Sequence, residues 1–175
     1  MKDLTDEQIM ISVSSGNLDL ASILFDRYQV RIYNYLLKMT RDEIVSQDIT
    51  QEVFYKMIKY RRSYKEGKFS AWIYTIARNI FMDYYQKQKN KDVQLNAEIY
   101  GEEDKNYSEI NETNEQLYRA LNGLNKSDKE LIVMNRFQNI KYKEIAQILG
   151  STEGAVKTKI HRAIFKLKEL YLQNA

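Results

Sequence analysis

An all-α fold is expected of this chain: two small helical domains joined by a flexible acidic linker. Proline, which breaks helices, does not occur among the 175 residues. Apolar residues recur at helical spacing through long stretches on either side of residues 90–114, and within those residues the spacing is lost. The resulting division is a first domain at 1–89, a linker at 90–114 and a second domain at 115–175.

The first domain opens with a short helix after Thr5, whose first turn holds Asp6 and Glu7, favourable at a helix N-terminus. Ser14 to Asn17 stop it. From Leu18 to Met39 the positions Leu20, Ile23, Leu24, Tyr28, Ile32, Tyr35, Leu36 and Met39 keep helical spacing, and Thr40-Arg41-Asp42 interrupts it. A helix from about Val45 to Tyr60 turns Ile49, Val53, Phe54 and Met57 inward. Residues 61–68 read as a loop. A helix from Phe69 to about Gln88 then buries Trp72, Ile73, Ile76, Ala77, Ile80 and Tyr84. In the second domain, Leu117, Leu121 and Leu124 make one short helix. Ser127 is expected to cap the next, with Glu130 completing a capping box and Leu131, Ile132, Met134 and Phe137 as its apolar positions. The linker composition, rich in Asn, Asp and Glu, buries too little surface to offset chain entropy.

Composition narrows the function. The chain has no Cys and one His, so disulfides, thiolate metal sites and His clusters are excluded. No apolar run is long enough to span a bilayer, and the acidic N-terminus lacks a signal-peptide core, so no membrane insertion and a cytoplasmic location are expected. The net charge of +3 hides a segregation, with +4 over residues 1–91, −7 over 92–115 and +6 over 116–175. Two basic blocks around an acidic one suit a polyanionic partner. Two domains on a tether suit contact with two separated sites.

The segment Lys143 to Arg162 has the pattern of a helix-turn-helix. Ile145, Ile148 and Leu149 are apolar on the first helix, Gly150 supplies the left-handed turn, and Thr152 can cap the second helix. Val156, Ile160, Ala163 and Leu167 line a face to be buried. Lys157, Thr158, His161, Arg162 and Phe165 fall on an open one. A basic, hydrogen-bonding second helix is what entry into a DNA major groove requires, although a solvated helix in an ordinary bundle carries the same pattern.

Several motifs in order carry a resemblance. They are Leu24-Phe25-Asp26-Arg27-Tyr28, then Ser46-Gln47-Asp48-Ile49-Thr50-Gln51-Glu52-Val53-Phe54, then Phe69-Ser70-Ala71-Trp72-Ile73-Tyr74-Thr75-Ile76-Ala77-Arg78-Asn79. Tyr142-Lys143-Glu144-Ile145-Ala146, Leu149-Gly150 and Gly154-Ala155-Val156-Lys157 follow. Together they resemble a bacterial RNA polymerase sigma factor of the extracytoplasmic function (ECF) type, which keeps only the domains called regions 2 and 4. The likeness covers nearly the whole chain outside the linker.

The resemblance implies a promoter-specificity subunit with no enzymatic activity, catalytic residue, metal or cofactor of its own. Its partners would be core RNA polymerase, through the clamp helices of the largest subunit and the flap of the second-largest, together with promoter DNA and an anti-sigma factor. Asp48, Gln51, Glu52 and Phe54 correspond to the clamp-binding helix. Asp48 and Glu52 lie one turn apart, suited to accept from Arg and Lys; a plain surface charge face or the carboxylates of a metal or acid–base site are the other readings. Tyr64, Lys65, Lys68, Phe69, Trp72, Asn79 and Asp83 correspond to the stretch that recognises and opens the −10 element. That task needs rings for bases and positive charge for phosphates. Trp72 at helical spacing with Ile73 and Ile76 also reads as core, and Asn79 as a structural hydrogen-bonding residue. On the recognition helix Thr152, Glu153, Lys157, Thr158, His161 and Arg162 would face the −35 element, with Tyr142 and Lys143 on phosphate. The −7 segment would lie in the active-site cleft and RNA exit path as a nucleic-acid mimic.

The chain departs from the family at Asn125, where Pro usually follows the Leu, and at Lys157 and Lys159, where Arg is frequent. Lys is a point charge rather than a fork, so the family's promoter motif does not transfer. A free-standing helix-turn-helix regulator is the alternative. A nucleic-acid enzyme would need a metal cluster, a nucleophile–base pair or a phosphate-cradling Gly loop, and the sequence offers none.

Overall fold

The computed structural model describes residues 3–94 and 112–174. Those residues form α-helices, short 3-10 turns and one π-helical turn, with no strand among them. The chain divides into two compact units, Met1–Glu102 and Glu103–Ala175. Most of the predicted linker, with the nucleic-acid-mimic reading placed on it, lies outside the described residues.

In the first unit α1 spans Asp6–Ser14. Thr5 caps it reciprocally: its Oγ1 accepts from the Gln8 N–H at 3.2 Å, and its own N–H donates to Gln8 Oε1 at 2.9 Å. Ile9, Met10 and Val13 are wholly buried, so this short helix is fixed into the core. A 3-10 turn at Leu18–Leu20 leads into α2, Ala21–Thr40. Arg41 ends α2 in left-handed backbone at φ 59°, and Asp42 caps α3, Glu43–Lys59, by accepting from the Val45 N–H. That cap starts α3 two residues before the expected Val45. Ile49, Val53, Phe54 and Met57 all point inward, as the spacing predicts.

The last helix of this unit, α4, runs Phe69–Gln94. It continues past the expected Gln88, because residues 89–94 contain no Gly or Pro to stop a helix. Its inward face is also wider than predicted. Ile73, Ala77 and Ile80 are buried, while Trp72, Ile76 and Tyr84 are only half-buried. Tyr74 and Phe81 fill the remaining core positions. The reason is that α4 packs against α1, α2 and α3 together. Tyr74 meets Tyr35 of α2 edge-on, with ring centres 5.6 Å apart.

The second unit comprises α5 (Glu112–Asn122), α6 (Lys126–Ile132), α7 (Tyr142–Leu149) and α8 (Glu153–Gln173). Helical residues up to Gln94 and from Glu112 onward fall within the stretch 90–114 expected to be a linker. Ser127 does not cap α6. Asn125 does, accepting from the Asp128 N–H at 2.8 Å. Asn125 sits in extended backbone where its short amide reaches that N–H, and Ser127 already lies inside the helix. Glu130 is correspondingly buried within the helix. After Ile132 the backbone widens into a π-turn over Val133–Phe137. The turn moves Val133 into the core beside Leu131, Ile132 and Met134 and leaves Phe137 half-buried. Asn139 then reverses the chain at φ 54°. The Gln116 side chain donates to the Tyr171 carbonyl at 2.9 Å, and Lys166 pairs with Asp128 at 2.8 Å; both bonds hold α8 in place.

Two outcomes follow. Thr152 Oγ1 accepts from the Ala155 N–H, so Thr152→Ala is expected to destabilise the second unit by about 1 kcal/mol, read by urea unfolding in far-ultraviolet circular dichroism and by faster amide exchange in the first turn of α8. Burial pushes the Tyr64 and Tyr74 phenols up from 10.0 to about 12. Their folded values exceed the unfolded ones, so this contribution to stability is full below pH 10 and is lost as the pH rises towards 12. An ultraviolet titration of tyrosinate is expected to show these two ionising well after the exposed tyrosines.

Candidate nucleic-acid interface

The helix-turn-helix is built as the sequence implies. Gly150 takes left-handed backbone at φ 62° and closes α7, its N–H pointing at the Ala146 and Gln147 carbonyls. A side chain would be strained at that φ, so the turn depends on glycine. The Ser151 N–H then bonds to the Ala146 carbonyl at 2.9 Å, and Thr152 caps α8. Val156, Ile160 and Ala163 are buried, and Leu167 is half-buried. The α5, α6 and α7 helices all pack on α8, which fixes its outer face.

That outer face is open. Thr152, Glu153, Lys157, Thr158, Lys159, His161 and Arg162 are all exposed, as is Phe165. Thr158 spends its hydroxyl proton on the Gly154 carbonyl at 3.0 Å. Lys143 is exposed at the start of α7, and Tyr142 beside it is half-buried. The structure therefore presents on one unit the residues singled out there, with cationic and hydrogen-bonding groups outward.

The first unit offers two surfaces. On α3, Asp48, Gln51 and Glu52 are exposed, and Tyr55 extends the same stripe at 63% exposure. Glu52 pairs with Lys56 at 3.2 Å, an exposed ion pair of little energetic weight. Phe54 is buried, its ring edge-on to Phe25 at 4.8 Å. Phe54 is therefore a core residue of α3, whereas Asp48, Gln51 and Glu52 line its exposed face. Phe25, Gln29, Val30 and Tyr33 of α2 border a shallow groove with Gln47, Thr50 and Gln51 of α3. The sequence reading does not single out Val30, whose signal is an apolar residue falling off the buried stripe of α2, at 62% exposure.

The second surface lies around residues 64–83. Lys65, Lys68, Asn79 and Asp83 are exposed, and Trp72 is half-buried on the stripe that carries Ile76, Asn79 and Asp83. Tyr64 and Phe69 are buried at 4% and 0% exposure. Their rings are packed inside the fold, unlike the exposed groups around them. The physical reason is local. Gly67 turns the chain at φ 99°, the Tyr64 hydroxyl donates to the Gly67 carbonyl at 2.7 Å, and the ring folds inward onto Phe69 and Trp72. Among the described residues, no three His, Cys, Asp or Glu are grouped to hold a metal ion, and no helix is long and apolar enough to cross a membrane.

Residues 24–91 match the family Sigma-70 region 2, and residues 114–167 match Sigma-70, region 4. The chain is 30% identical over 165 residues to the ECF RNA polymerase sigma factor SigW of Bacillus subtilis (strain 168), spanning 86% of this chain and 88% of that protein. It is 28% identical over 152 residues to the ECF RNA polymerase sigma factor SigM of the same organism, spanning 85% and 93%. In fold it is similar to CnrH, solved in complex with the cytosolic domain of CnrY, with a TM-score of 0.76 at 21% identity over 97% of this chain and 99% of that one. It is similar also to the sigma factor RpoE, solved with the anti-sigma factor NepR from Bartonella quintana, with a TM-score of 0.69 at 21% identity over 85% and 94%. With both sigma regions matched in order along the chain, it belongs to the ECF type of the sigma-70 family, the promoter-specificity subunits of RNA polymerase.

Proposed function

We propose that this chain binds core RNA polymerase through its first unit, reads a −35 element with α8 and opens a −10 element with the surface around α4. The observation that carries this reading is the presence in one chain of an exposed face of α3 with Asp48, Gln51 and Glu52 and an exposed basic face of the recognition helix α8. On α3, Asp48, Gln51 and Glu52 would meet cationic residues of the clamp helices. On α8, Arg162 would take a bidentate base contact and Lys157, Thr158 and His161 the neighbouring edges. Thr152 and Glu153 would lie at the entry to the groove, and Tyr142 and Lys143 on phosphate. On α4, Trp72, Asn79 and Asp83 form the stripe proposed to receive an unpaired base, with Lys65 and Lys68 on the backbone of the displaced strand. Tyr64, Phe69 and Phe54 serve from inside the fold.

The protein would act in the cytoplasm, where the polymerase works, without enzymatic chemistry of its own. The flap of the second-largest subunit is the proposed contact of the second unit. An anti-sigma factor is proposed as regulator, supported by the likeness to RpoE held by NepR. A free-standing regulator needs only the second unit, and the region 2 match over residues 24–91 argues against it.

Purified protein, bacterial core polymerase and genomic DNA of the source organism, followed by mapping of transcript starts, test the reading. New starts sharing two upstream sequence blocks are expected; no core binding and no new starts would hand the function to the free-standing regulator. On a promoter so found, Arg162→Ala is expected to cost about 1–3 kcal/mol and to relax preference at one base pair. Lys143→Ala is expected to weaken binding evenly across sequences and to lower the salt-dependence slope by about one. Anisotropy titrations at several salt concentrations distinguish the two.

A further inference from the structure

The N-terminus of α4 is capped from a distance. Lys68, which precedes the helix, has no side-chain oxygen with which to accept from the first N–H groups. Glu7 of α1 supplies one instead, its Oε1 accepting from the Phe69 N–H at 3.1 Å across 62 residues of chain. A carboxylate there is also favoured by the helix dipole.

Glu7 is itself held firmly. The neighbouring Asp6 accepts from Arg27 Nη1 and from the Tyr28 hydroxyl of α2, each at 2.6 Å. The same Arg27 Nη1 donates to the Leu4 carbonyl at 3.1 Å. Ile9, Met10 and Val13 anchor the rest of α1 in the core, and α1 also packs on the turn Arg61–Ser63. The acidic end of α1 is thus clamped to α2 on one side and to the start of α4 on the other. Next to it, Tyr64 pins the turn that carries Lys65 and Lys68 outward. Burial, with the Glu7 and Asp6 carboxylates adding to it, keeps that phenol protonated to about pH 12, so its bond to the Gly67 carbonyl persists through any working pH.

We propose that Glu7 is a positioning residue for promoter opening: by capping α4 through the Phe69 N–H it fixes the angle between the 64–68 loop and the Trp72–Asn79–Asp83 stripe. The inference rests on the sigma-factor reading and adds to it a role for a helix that precedes the region 2 match at residue 24. Glu7 touches no DNA in this account. It acts through the backbone of α4.

The test uses the full chain with core polymerase on a promoter identified by start mapping. Core affinity, duplex binding in the cold and permanganate reactivity of unpaired thymines on warming are measured for wild type, Glu7→Ala, Glu7→Gln and Glu7→Asp. Gln keeps an acceptor at the same reach, Asp keeps the charge one methylene short, and Ala keeps neither. The open-to-closed ratio is expected to fall about fivefold in Glu7→Ala, the factor carried by loss of one capping bond, with core affinity and cold binding unchanged. Glu7→Gln is expected to stay near wild type and Glu7→Asp to fall towards Ala. Opening by Glu7→Ala at the wild-type level, or a deficit that Gln shares, or one explained by weakened core binding, overturns the proposal. If Glu7→Ala fails to fold, Asp against Gln decides, and Asp opening as well as Gln overturns it. A wild-type protein that neither binds core nor opens the promoter overturns the sigma-factor reading itself, a result distinct from all of these.

Discussion

The first unit depends on burying Phe69. It is the first residue of α4, a position where most helices face solvent, and here it is fully enclosed. Its ring meets Tyr28 edge-on at 5.0 Å, with Tyr64 and Trp72 at 6.3 and 6.1 Å. Burial of a ring this size is worth about 1.5–3 kcal/mol, and the chain before it must fold over it to exclude water. That requirement sets the course of residues 64–68 and leaves their charged side chains outward. Charge for a polyanion and a ring for packing are thereby sorted onto opposite sides of one short loop.

The second unit meets a different constraint. Its recognition helix must show a continuous polar face while being held from behind by three shorter helices. The π-turn at Val133–Phe137 and the reversal at Asn139 are how α6 and α7 reach their places. An added residue in the turn of a helix costs regular hydrogen bonding. Here the Asn135 side chain donates to the Ile140 carbonyl at 3.0 Å and stitches the turn closed. Lys129, buried at 7% exposure, finds the Asn122 side chain at 2.9 Å. The polar groups that enter this small core therefore bring partners with them.

Much of this was legible in the sequence, and the misses have physical causes. The helices, their order and the helix-turn-helix follow from apolar spacing, from Gly150 and from Thr152, because each is decided within a few residues. Ser127 misled because two potential caps lie two residues apart and only backbone geometry selects Asn125. Tyr64, Phe69 and Phe54 are ambiguous in another way. Their residue types suit both a base-stacking surface and a core, and only the tertiary contacts of Tyr28 and Phe25 choose between them. The Glu7–Phe69 bond was not legible at all, since no local pattern links residues 62 positions apart. The exposed face of α8 was readable because a helix face is a local property.

The chain holds two separate cores, and its one tryptophan, Trp72, lies in the first. If each unit unfolds on its own, the unfolding of the whole protein is the sum of two transitions, and a single melting temperature does not describe it. Indole emission follows only the first unit, whereas helical ellipticity follows both. Disagreement between those two signals would show that the halves do not unfold in one cooperative step.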